Sequence, residues 1–131
     1  MNLVARSPTH IRVAAKLQGE VAIAMIERYG MMLYLPDRIE VRRHEQIRFI
    51  LTNAGDLDHE FVLATANEND RHAEKVRNSS NLVHDDPNAK TVGAGATTEI
   101  LWRFTTPGEY EFSCLIPGHR EAGMTGVVVV R

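Results

Sequence analysis

The chain has 131 residues, enough for one domain with a core of its own, and 15 Lys and Arg against 17 Asp and Glu leave a formal net charge of -2. There is no basic run to neutralise phosphates and no acidic tail, so nucleic acid is not an expected partner. The longest unbroken apolar run, 21–26, has six residues, far short of the roughly 20 that a transmembrane span needs.

Residues 1–20 are read as an arm or extra element ahead of a main domain at 21–131. Within the arm, 13–18 suits a short helix, an added strand or a segment packed on a neighbour. Arg6, Arg12 and Lys16 are present, but no long apolar stretch closes on a small-residue cleavage site, so the segment does not read as a signal peptide. From Val21 onward the pattern is one of short apolar or β-branched runs between turn signals. It predicts strands at 21–27, 38–41, 46–53, 59–65, 97–104, 109–114 and 126–130. Asn53-Ala-Gly55 and Thr106-Pro-Gly108 supply turns. The polar stretch 67–78, rich in helix formers, predicts a short surface helix, and 78–95 a long loop returning to the sheet. The expected fold is all-β, a sandwich or small barrel with a helix inserted between the middle strands.

The chemistry concentrates near the C-terminus, in Cys114-Leu-Ile-Pro-Gly-His119-Arg-Glu-Ala-Gly-Met124. Taken singly, each of these residues has a plainer use: a lone cysteine as a small buried hydrophobe, a methionine as core filler, a loop histidine as a solvated side chain. A thiolate, an imidazole and a thioether together, spaced C-x4-H-x4-M, are the soft and borderline donors that suit copper. Pro117-Gly118 turns the chain back before His119, and Gly123 lets the backbone bend ahead of Met124. A fourth donor must come from elsewhere, and His59, opening its own strand, is the best candidate. Zinc would use the same nitrogens and sulfur but ligates a thioether poorly. Cys114 is the only cysteine, so no intramolecular disulfide forms.

Asp58-His-Glu-Phe61 and Phe112-Ser-Cys-Leu-Ile-Pro-Gly-His-Arg-Glu-Ala-Gly-Met-Thr-Gly126 resemble the cupredoxins, the blue copper proteins, and the likeness spans about 21–131. The loop spacing is longer than that of plastocyanin or pseudoazurin and is similar to that of rusticyanin. His84-Asp-Asp-Pro-Asn88, Leu101-Trp-Arg-Phe104 and 116–124 resemble bacterial cupredoxins associated with copper tolerance. The resemblance implies a Greek-key β-sandwich of about seven or eight strands. It also implies one type 1 copper per chain, ligated by His59, His119 and Cys114 with Met124 as a weak axial ligand. One-electron transfer would follow, with a redox partner such as a cytochrome or copper oxidoreductase, in the periplasm and without enzymatic activity. The alternative within the family is copper tolerance, by sequestering or passing on the ion; a Cys-His hydrolase using Cys114 with His59 or His119 is the remote one.

A binuclear CuA site needs two cysteines in the loop, and multicopper oxidases flank the type 1 cysteine with histidines where Ser113 and Leu115 stand here. One position departs from the family: Glu60 follows the first histidine where Asn or Ser is common, which points to a surface ion pair, a titrating group or an altered copper environment. Leu115, Ile116, Pro117, Gly118 and Ala122 are expected to form an apolar docking patch around His119. Met25, Met31 and Met32 with His10, His44, His72 and His84 form a less favoured auxiliary soft site, their ordinary uses being core packing and solvation.

Overall fold

A computed structural model describes residues 19–78 and 86–131. In chain order the elements are β1 (Glu20–Arg28), β2 (Met31–Leu35), β3 (Arg38–Val41), β4 (Gln46–Asn53), β5 (His59–Ala64), α1 (Ala66–Asn78), β6 (Ala89–Val92), β7 (Thr97–Arg103), β8 (Gly108–Ser113) and β9 (Thr125–Val130). They form two facing sheets, one ordered β2-β1-β4-β7 and the other β3-β9-β8-β5-β6. The pairs β1/β4 and β3/β9 are parallel and the other neighbours antiparallel. Among the described residues no helix is long and apolar enough to cross a membrane.

Period-2 alternation sends Val21, Ile23 and Met25 of β1 and Ile47, Phe49 and Leu51 of β4 inward, where each is at most 1% exposed. The facing sheet answers with Phe61, Phe112 and Val128. Phe61 stacks on Phe112 with ring centroids 4.9 Å apart, and Tyr34 meets Phe112 edge-on at 5.0 Å. Strand β5 does not alternate, because both of its faces are covered. Phe61 and Leu63 enter the main core, while Val62 packs with Val76 of α1, Ala89 and Leu115.

The all-β sandwich with a helix between its middle strands is as expected, with nine strands among the described residues. Two strands were not foreseen. β2 follows a two-residue hairpin in which Tyr29 and Gly30 both have positive φ, 55° and 75°. A turn of that kind is normally announced by Asn-Gly or Asp-Gly, and a tyrosine conceals it. β6 falls inside the expected 78–95 loop as a four-residue edge strand paired with β5. The helix starts one residue before the expected position, behind a capping box. The Glu68 amide donates to Thr65 Oγ1 (3.2 Å) and the Thr65 amide donates to Glu68 Oε1 (2.9 Å). The expected short element at 13–18 and the histidines His10 and His84 lie outside the described residues.

Candidate metal centre

Strands β5 and β8 pair antiparallel with Val62 opposite Ser113. The first residue of β5, His59, and the residue just past β8, Cys114, therefore share one end of the sandwich. The chain then turns at Pro117-Gly118, where the His119 amide donates to Ile116 O (2.9 Å). It closes at Gly123, whose φ of +109° is a left-handed value that a side chain would strain. The Met124 amide donates to His119 O (3.2 Å) and the Cys114 amide to Met124 O (3.2 Å). Backbone bonds within one loop thus tie Cys114, His119 and Met124 together, and the β5/β8 register brings His59 to the same end.

His59, Cys114 and His119 each present a donor atom within 4.8 Å of the others, and they form the only such cluster of three or more His, Cys, Asp or Glu among the described residues. His119 Nδ1 lies 3.3 Å from His59 Nδ1 and 3.4 Å from Cys114 Sγ. Nitrogen and sulfur ligands about 2.0 to 2.3 Å from a common ion sit roughly 3.5 Å apart. The donor set therefore fits a single metal, and a thiolate with two imidazoles suits copper. His59, Cys114 and Met124 are 0% exposed, whereas His119 is half-buried and reaches the surface.

Burial sets the acid–base state of the metal-free site. It pushes the Cys114 thiol up to about 12, against hydrogen bonds from the Glu60 and Ile116 amides that favour the thiolate. Burial, and after it the neighbouring His59, holds His119 below its ordinary value, so its lone pair is free at neutral pH.

Several supporting residues are not assigned to the site from the sequence, where Asn53 and Gly55 read only as a turn. Glu27, at the end of β1, places Oε2 2.5 Å from His59 Nε2 and accepts the Asp56 amide on Oε1 at 2.7 Å. Desolvation raises its carboxyl, but the bonds from the Asp56 and Leu57 amides and from His59 outweigh it and leave it below the usual range. A Cβ on Gly55 would stand 1.9 Å from Glu27 Oε2, so only glycine leaves room for the carboxylate. Asn53, fully buried, donates to Leu57 O (2.7 Å) and Val92 O (2.8 Å) and accepts the Gly55 amide (2.9 Å), which shapes the loop delivering His59. On the other side, Arg120 donates to Asp70 Oδ1 of α1 (2.6 Å) and to Glu111 Oε1 of β8 (2.9 Å), and so holds the His119 loop to helix and sheet.

Two expectations are corrected. Of the three uses expected for Glu60, the surface one does not fit its position: its side chain is buried and its Oε1 accepts the Leu115 amide (3.3 Å), while its own amide donates to Cys114 Sγ (3.3 Å) and its carbonyl accepts the Tyr34 hydroxyl (2.5 Å). Burial, the largest influence, raises its carboxyl. Leu115 does not join an apolar patch around His119, because it is 2% exposed and packed beneath α1. Pro117 and Gly118 are exposed, and Tyr29 of the β1–β2 turn, Met31 at the start of β2 and Leu57 ahead of β5 are exposed as well, at 95%, 48% and 44%. Met31 flanks the loop, its Cε lying 3.5 Å from where a Gly123 Cβ would be. Met25 is core, as its ordinary use predicts.

A family model for copper-binding proteins of the plastocyanin/azurin family matches residues 21–131. The chain is 48% identical over 118 residues to the copper-resistant cuproprotein CopI of Rubrivivax gelatinosus, covering 90% of this chain and 70% of that protein. It is 40% identical over 86 residues to CopI of Vibrio cholerae serotype O1, covering 66% of this chain and 51% of that one. Among solved structures, dithionite-reduced auracyanin from Roseiflexus castenholzii superposes with a TM-score of 0.71 at 22% identity, over 90% of this chain and 98% of that one, a likeness of fold. The chain belongs to the plastocyanin/azurin family of copper-binding proteins, a cupredoxin similar to the CopI copper-resistance proteins.

Proposed function

We propose that the chain holds one copper ion through His59, Cys114, His119 and the axial Met124 and passes single electrons to and from a protein partner, without enzymatic activity. The observation that carries this reading is the convergence of the His59, Cys114 and His119 donors within 4.8 Å. When bound, copper supplies a one-electron couple. The protein residues supply a fixed donor set. The amides of Glu60 and Ile116 point at the thiolate sulfur. Burial of His59, Cys114 and Met124 keeps water from three of the four donors. His119 reaches the surface, and the exposed apolar side chains of Pro117, Met31 and Leu57 suit brief contact with a partner such as a cytochrome or copper oxidoreductase. The periplasm is the compartment this proposal places it in. A carrier is favoured over a Cys-His hydrolase because Cys114 is buried and its thiol pushed up to about 12, the opposite of an activated nucleophile.

A second reading is favoured by the 48% identity to CopI, a protein named for copper resistance: the ion is cargo to be sequestered or delivered. Copper titration of the purified protein with a visible spectrum separates the two. One tight copper with an intense thiolate band and a reversible one-electron couple supports the carrier, and two or more Cu(I) per chain support handling. Absence of the band on loading Cu(II) would remove the type 1 assignment.

Met124→Leu is expected to keep copper and the thiolate band while raising the reduction potential, since a weak axial sulfur is exchanged for an apolar group that favours Cu(I). Voltammetry of the loaded variant checks this. Loss of all copper would assign Met124 a stronger role than an axial one.

A further inference from the structure

Glu27 sits 32 positions before His59 in sequence and touches it in space. Its contact is directional. His59 Nδ1 faces His119 Nδ1 at 3.3 Å and belongs to the donor cluster, while His59 Nε2 faces Glu27 Oε2 at 2.5 Å. A neutral imidazole carries one proton, and a carboxylate offers only acceptors. A ring that gives the lone pair of Nδ1 to a metal keeps its one proton on Nε2, where the Glu27 carboxylate stands to accept it. The carboxylate is itself held: Oε1 accepts the Asp56 amide at 2.7 Å, and Gly55 leaves the space it fills. His59 is 0% exposed, so no bulk water competes for that proton.

Resting on the copper reading above, we propose that Glu27 is the positioning residue of the centre: a carboxylate–imidazole pair that locks His59 in its ligating tautomer and biases the bound copper toward Cu(II). The bias follows from charge. A carboxylate accepting the distal N–H makes the ring a more basic ligand, and the added negative charge favours the more highly charged ion. Outer partners of this kind are worth about 10- to 100-fold in metal affinity.

The test compares copper-loaded wild type with Glu27→Gln, which keeps shape and removes the charge. The expected result is a Cu(II) affinity lower by about tenfold or more with Cu(I) affinity nearly unchanged, so that the reduction potential rises by about 59 mV per tenfold change in the ratio. If Glu27 only ties β1 to the turn before β5, the variant would lose thermal stability while potential and visible spectrum stay at wild-type values, and that result overturns the proposal. A measurement on the wild type does not depend on the variant folding. In the Cu(I) protein, nitrogen-resolved NMR is expected to show a slowly exchanging proton on His59 Nε2, and a proton on Nδ1 instead would equally overturn the proposal. A wild type with no thiolate band and no one-electron couple would overturn the copper reading itself, independently of Glu27.

Discussion

Cys114→Ser is expected to abolish the intense visible band of the Cu(II) protein and to weaken Cu(II) binding by on the order of 100-fold or more, beyond the loss seen for outer-shell changes. The thiolate is the one soft anionic donor in the cluster, and a serine hydroxyl does not ionise to replace it. The fold should survive. Cys114 is fully buried in the main core, and a hydroxyl there costs about 1 to 3 kcal/mol unless bonded. The Glu60 amide that donates to Sγ at 3.3 Å remains as a partner, and a typical domain has about 5 to 15 kcal/mol in hand. Far-ultraviolet circular dichroism should therefore match wild type while the visible spectrum does not. A variant that binds and colours as wild type would remove Cys114 from the site, and with it the type 1 assignment.

That prediction rests on residues that sequence alone brings together. Cys114, His119 and Met124 fall within eleven positions, and the turn at Pro117-Gly118 and the bend at Gly123 are local events that residue type announces. His59 was legible for a related reason, since it opens a strand run behind a turn-rich segment, although only the β5/β8 register shows that its end of the strand meets Cys114. What sequence did not reveal depends on pairing between distant strands. Glu27 reaches His59 because β1 runs parallel to β4, with Met25 opposite Asn53, which carries the end of β1 past the loop before β5. Nothing local distinguishes Glu27 from any other acidic residue at a strand end. The surface pairing that was one of the uses expected for Glu60 failed for the converse reason: β5 has α1 on its outer face and is buried on both sides. Leu115 turned inward under the same helix. The Arg120 contacts to Glu111 and Asp70 join three segments that are adjacent only after α1 has packed.

The acid–base state of the metal-free site leads to the second large effect. Copper affinity is expected to rise about tenfold per pH unit between pH 7 and pH 9, with about one proton released per copper bound. Burial pushes the Cys114 thiol up to about 12, so the metal-free protein holds that proton across the whole interval and must give it up to ligate as thiolate. His119, held below its ordinary value by burial, is already neutral there and adds no slope. Below its pKa it begins to compete as well, and the dependence steepens. The metal-free fold should move the other way. Because the folded thiol titrates above the ordinary thiol value of 9.0, the folded state binds more protons than the unfolded chain once pH passes about 9. Its stability then falls by roughly 1.4 kcal/mol per pH unit until the folded thiol itself ionises. Chelator competition at pH 7, 8 and 9 measures the first trend and denaturant unfolding of metal-free protein the second. A pH-independent affinity would mean that the thiolate is already formed before copper arrives, and the amides of Glu60 and Ile116, rather than burial, would then dominate the sulfur.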